Sequence, residues 1–202
     1  MRQAWALTHV APAPAAPHRA PAWSLPDLTG RLVELSAGAA AAPLSAALGL
    51  VRQTQLTGDR AAWVGLEPSA FYPPDAAEGG VDLEALPVVR VPDARLAGRA
   101  ADHLVRSGGF GLVVIDLGTG TLPVPLLVRL LGLARQHDAA VLLLTKKPHE
   151  TPSLHSLISL RAEARHHARG DRYELAVRVL KDKRSGPGWT HVEICRGPAG
   201  LR

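Results

Sequence analysis

The sequence predicts an α/β domain in which a mostly parallel central sheet, flanked by helices, is extended at its C-terminal end by an antiparallel β-meander. Between Gly30 and Thr145, apolar runs of strand length alternate with helix-length stretches, the order that builds a parallel sheet covered on both faces. The run FGLVVIDLG is continuously apolar, as a strand buried on both faces must be. Beyond it the period drops to two: Ile158, Leu160, Ala162 and Ala164 alternate with Ser159, Arg161, Glu163 and Arg165, which reads as a half-exposed strand.

The elements follow in order. RLVEL reads as a strand, Pro43 to Leu56 as a helix with proline in its first turn, and AAWVGL as a second strand. LPVVRV is the next strand, and DARLAGRAADHLVRSGG a helix with aspartate at its start and glycine just past its end. FGLVVIDLG precedes LPVPLLVRLLGLARQHD, a helix with prolines in its first turn, and AAVLLLT closes the parallel part. In the meander, a turn at ARGD leads to a strand with Tyr173, Leu175, Val177 and Val179 on one face, and SGPG leads to a short strand carrying Val192 and Ile194. Ahead of all this, residues 1–28 form a Pro/Ala-rich tail, since proline blocks both helix and ladder hydrogen bonding. The core domain is therefore expected over residues 29–202. Trp5 and Trp23 are candidate anchors for the tail, on its own domain or on a partner.

Composition narrows the chemistry. In 202 residues there is one cysteine, Cys195, within the strand-like THVEICR, so a disulfide within the chain and a cysteine-based zinc site are both excluded. A small buried thiol is the expectation. No apolar run reaches membrane-spanning length and the first residues lack a signal-peptide block, so a cytoplasmic protein is expected. The net charge is +5, and most of the excess is local. Between Arg161 and Arg184 lie eight basic residues against four acids. His166 and His167 are adjacent and on a strand point to opposite faces, so they cannot share a metal. His149, Glu150 and His155 read as solvated loop residues. No metal site is expected.

The ordered motifs carry a resemblance. GRLVEL is similar to the GRIVEI strand that leads into the phosphate loop of RecA, and EPSAFYP to its EHALDP segment. LVVID resembles the strand ending in the Walker B aspartate, VLLLT the following strand, LISLRAEAR the strand after the second DNA loop, and VRVLKDK the strand with a lysine pair. Together they span roughly residues 28–196 and imply a RecA-like core.

Where the chain departs from RecA, it loses chemistry. A working phosphate loop needs glycines for close backbone approach, a lysine for the β- and γ-phosphates and a hydroxyl for magnesium. Here the segment reads SAGAAAAPLS, with Pro43 at the lysine position and Leu44 at the hydroxyl position. Proline also removes a backbone donor. Glu67 falls at the position of the family's catalytic glutamate and Asp116 at that of the Walker B aspartate, in a degenerate nucleotide site. The resemblance therefore implies no catalytic residue, no bound nucleotide or other cofactor, and no enzymatic activity. The segments DLGTGTLP and KKPHETPS are short where RecA has DNA-contacting loops, and Thr145 replaces a nucleotide-sensing glutamine.

Among short, degenerate relatives of RecA the chain most resembles the ImuA family, accessory proteins that act with ImuB and an error-prone polymerase in damage-induced mutagenesis. That resemblance implies ImuB or RecA as protein partners; SulA-type division inhibitors, which share a weak likeness to RecA, are the alternative. Lys181 and Lys183 match the lysine pair that in RecA filaments reaches the neighbouring subunit's ATP, and Arg178 and Arg184 flank them. These four are the candidate partner-binding residues, beside the reading that KDKR is a charged turn. Direct nucleic-acid contact through Arg161, Arg165, Arg169 and Arg172 is the second reading, although only Tyr173 is on hand for base stacking. RecA's N-terminal assembly helix is replaced by the tail, so a monomer in isolation is expected.

Overall fold

A computed structural model describes residues 20–37, 42–68, 70–169 and 172–196. Eight strands form one sheet, β1 (Arg31–Ala37), β2 (Ala61–Leu66), β3 (Val88–Val91), β4 (Leu112–Gly118), β5 (Ala140–Lys146), β6 (Leu160–Arg169), β7 (Arg172–Asp182) and β8 (Thr190–Arg196). Their order across the sheet is β3-β2-β4-β5-β1-β6-β7-β8. The first six run parallel and β6 to β8 are antiparallel. The mixed sheet and its terminal meander are those the alternating pattern predicts.

Each face of the sheet has its own core. On one, α2 (Ala42–Leu56) packs Ala46, Ala47, Leu50 and Val51 against Val33, Leu35, Trp63, Val114, Leu142, Ala162 and Val177. On the other, α4 (Ala94–Arg106) and α5 (Val124–Gln136) cover Leu32, Val64, Val113, Ile115, Val141 and Leu143. Asp93 caps α4 by accepting the Leu96 N–H at 2.8 Å, and Gly108, at φ 67°, ends it in the left-handed conformation that glycine tolerates. α4 and α5 meet closely at Gly98, where a Cβ would stand 2.8 Å from Leu126 Cδ1.

Two one-turn helices escape the sequence pattern, α1 (Leu25–Leu28) and α3 (Pro73–Glu78), because a single turn is too short to show a helical period. Residues 23–28, assigned by sequence to the tail, pack into the α2-side core. Trp23 is 4% exposed and its indole N–H donates to the Ala46 carbonyl at 3.3 Å. Trp5 lies outside the described residues. The first half of β6 also differs from a half-exposed strand: Arg161 and Glu163 are buried. β6 is an inner strand between β1 and β7, and the segment that precedes it folds over Arg161. Cys195 is half-buried against the α2-side core, and burial together with the Glu193 charge pushes its thiol up. No described helix is long and apolar enough to cross a membrane.

Candidate functional site

Parallel α/β sheets present their sites beyond the carboxyl ends of the strands, and here that edge is formed by Ser36 of β1, Glu67 after β2, Asp116 of β4 and Thr145 of β5. The head of α2 stands beside it. Pro43 is buried and Leu44, partly buried, packs against the core, so neither side chain is directed to a phosphate. Residues 38–41, the rest of the loop, lie outside the described residues. Glu67 is exposed. Asp116 is half-buried and its Oδ1 accepts the Gly118 N–H at 3.3 Å. Burial pushes its carboxyl above the usual range, against the pull of that N–H and of the Lys146 charge.

A polar cluster at this edge centres on Glu34, which the motif comparison does not single out. Glu34, fully buried in β1, accepts the Thr145 hydroxyl at 3.0 Å, the Leu154 N–H at 2.9 Å and the Lys147 ammonium at 2.5 Å. Arg161 donates to the carbonyls of Thr151 and Pro148, and to Ser36 Oγ at 3.4 Å. The segment between β5 and β6, where RecA carries a DNA-contacting loop, is thus tied down from both sides. Thr145, at the sensing-glutamine position, is part of this latch. A carboxylate inside the apolar run LVEL was the signal for it, since a charge in a strand interior needs partners.

Of the eight basic candidates, the register brings several onto one face. Arg161 of β6 lies opposite Lys181 of β7, and Glu163 opposite Arg178. Glu163 is held by Arg165 at 3.2 Å and Arg178 at 3.5 Å, whose side chains remain 54% and 60% exposed. Burial lowers the Lys181 pKa, helped by the charges of Lys183 and Arg161 and opposed by that of Glu34. Lys183 and Arg184 lie in the turn between β7 and β8 and serve the fold as well. Lys183 Nζ donates to the Ser156 carbonyl at 2.6 Å, and Arg184 Nη2 to that of Thr29 at 3.0 Å. Arg172 is exposed; the side chain of Arg169 lies outside the described residues. Arg161, buried and spent on loop carbonyls, is withdrawn from any nucleic-acid surface. Among the described residues no cluster could hold a metal ion.

The chain is 35% identical to the RecA protein of Trichodesmium erythraeum over 94 residues, 46% of this chain and 26% of that protein. Over that stretch the chain is RecA-like. It is also 39% identical to the RecA protein of Methylococcus capsulatus over 87 residues, 43% of this chain and 25% of the relative. With the RecA protein of Corynebacterium glutamicum the identity is 37% over 87 residues, 43% and 23% of the two chains. The chain thus spans about a quarter of the length of the curated relatives it matches. No family model matches it.

Proposed function

We propose that this RecA-like chain is a non-catalytic accessory protein of the DNA-damage response, docking in the cytoplasm on RecA, on ImuB or on both to support error-prone translesion synthesis. One observation carries the reading: a RecA-like core whose phosphate-loop positions, Pro43 and Leu44, are turned into packing residues. The lysine pair supplies a docking face. Lys183 is exposed in the turn between β7 and β8 and Lys181 stands beside it, so the chain can approach a RecA subunit as a filament neighbour while its own degenerate site offers nothing to the next one.

Purified chain is run with RecA and with ImuB in size-exclusion and pull-down assays, with fluorescent ATP titrated in parallel. The expected result is a complex with at least one partner and no saturable ATP binding. Tight ATP binding without either complex overturns the reading. Lys181→Ala with Lys183→Ala should weaken RecA binding; an unchanged complex removes the lysine face from the docking surface. Exposed Arg165, Arg172 and Arg178 favour a second reading, weak direct contact with DNA, which would show as binding that falls steeply with added salt.

A further inference from the structure

β8 is the last strand of the sheet, with β7 as its neighbour on one side. Its residues alternate in environment. His191 and Glu193 line the α2 side together with Trp23, Gly49 and Gln53, and Cys195 packs into that core. Val192 and Ile194 therefore project from the opposite face, where they are 50% and 57% exposed. Among the described residues α4 and α5 pack on this side mainly against β1 to β5, and the β5–β6 segment covers Arg161 of β6, so the outer face of β7 and β8 stands beyond them. Two β-branched apolar side chains in succession on an edge strand form a template for another strand, and native edges are normally blunted against that.

Charge on the same face selects the occupant. In the register of β7 with β8, Val192 stands beside Ala176 and Ile194 beside Glu174, so the apolar strip at the margin is the pair Val192 and Ile194 on β8 itself. Arginines stand in the rows on either side, and on this face Arg165, Arg172 and Arg178 outnumber the carboxylates Glu163 and Glu174. Thr190 is in register with Arg178, which shares Glu163 with Arg165, and Arg196 is in register with Arg172. We propose that β8 is a docking edge for an extended acidic segment of a partner protein, which adds as a ninth strand with the outward pattern acidic-x-apolar-x-apolar-x-acidic. Its two apolar side chains cover Val192 and Ile194, and its two acids meet the rows of Arg178 and Arg172. A strand added to β8 lies two spacings, about 10 Å, from β7, which an arginine and an acidic side chain bridge together.

The alternatives fit this face less well. A second copy paired edge to edge would bring two identical basic faces into one sheet. Single-stranded nucleic acid needs flat rings to stack on, whereas Tyr173 shares the α2-side parity of Leu175 and Val177. Edge addition of this kind takes affinity from main-chain hydrogen bonds and specificity from alternate side chains. The proposal does not depend on whether RecA or ImuB is the physiological partner.

The test uses the full chain and three fluorescein-labelled probes in anisotropy titrations: the heptapeptide DTVTVTD, the same peptide with both acids replaced by lysine, and a short oligo-dT. Saturable binding of the acidic peptide alone is expected. Val192→Thr with Ile194→Thr, both at exposed positions that keep the β-branch, should weaken it about tenfold or more, a difference that anisotropy resolves. Arg178→Ala should weaken it and flatten its salt dependence. Absent binding, equal binding of the lysine peptide, or indifference to the Val192/Ile194 change overturns the proposal. Preferential binding of oligo-dT overturns it in favour of nucleic acid, and a concentration-dependent dimer lost in the double variant overturns it in favour of a second copy. Failure of the RecA and ImuB pull-downs with intact peptide binding would sink the proposed function and leave this edge standing.

Discussion

The Arg31 guanidinium and the Asp182 carboxylate form a buried ion pair, 2.5 Å between Nη2 and Oδ1, that joins the first strand of the sheet to the end of β7. Both groups are saturated. Arg31 also donates to Ser159 Oγ at 2.8 Å and to the carbonyls of Ser159 and Asp27, while Asp182 accepts the Arg184 N–H at 2.9 Å and the Trp189 indole N–H at 3.3 Å. The residue between the two lysines of KDK is therefore the anchor of that turn, and it sets where Lys181 and Lys183 stand.

Removing one partner strands the other charge in the interior. Asp182→Ala is expected to destabilise the protein by about 3–5 kcal/mol, measured as a lowered urea midpoint, and to abolish any binding that depends on the lysine pair. Asp182→Asn, which keeps the shape and one acceptor, should cost less. A loss below about 1 kcal/mol for Asp182→Ala would mean that the pair is solvated in solution.

Acid should act through the same group. Burial pushes the Asp182 carboxyl up, but the Arg184 N–H, Arg31 and the Trp189 N–H outweigh it and hold the carboxyl below its ordinary value. A carboxylate with a depressed folded-state pKa contributes stability that is fully present above its unfolded value, about 3.9, and is lost as the pH falls through the folded value. Thermal melts should therefore show a decline beginning near pH 4 that is smaller in Asp182→Asn. Parallel pH profiles for the two proteins would refute this origin.

Periodicity made the sheet legible. Strand-length runs marked β1 to β5 and alternation marked the meander, because a parallel strand must be apolar on both sides and a covered antiparallel one on one side. Pro43, Leu44 and Asp116 came from the resemblance to RecA motifs and not from periodicity, which says nothing of their roles. Pairing across the chain was not legible. Arg31 meets Asp182 across 151 residues and Glu34 meets Leu154 across 120, and nothing local records who neutralises a buried charge. Arg161 looked like an outward arginine by parity alone; only the β5–β6 segment folding over it makes it interior.

That segment gives the next expectation. Glu34 holds Lys147 and the Leu154 N–H, and Arg161 holds two carbonyls of the same stretch, with Arg161 Nε the one buried donor of that guanidinium without a partner in the described structure. Glu34→Ala should leave the lysine and the amide unsatisfied, cost about 3–5 kcal/mol, and speed tryptic cleavage after Lys146, the lysine here not followed by proline, by more than the loss of global stability accounts for. Cleavage that tracks global unfolding alone would show that the latch opens only with the whole domain.

Asp116 permits a test of whether the degenerate site still uses its charge. Its carboxyl is raised by burial, and its Oδ1 needs only to accept the Gly118 N–H, which an asparagine oxygen does equally well. A carboxyl whose folded pKa is raised lowers stability once the pH exceeds its unfolded value, and the cost is complete above the folded one. Asp116→Asn should then melt higher than the parent protein at neutral pH, with the gain vanishing in acid as the parent's carboxyl takes up its proton, and should leave the proposed complex with RecA or ImuB unchanged. In a working nucleotide hydrolase the same change removes a group that serves the magnesium ion. A lower melting temperature at neutral pH, or a lost complex, would show that a cation or a partner still meets this carboxylate, and would return the site to chemistry rather than packing.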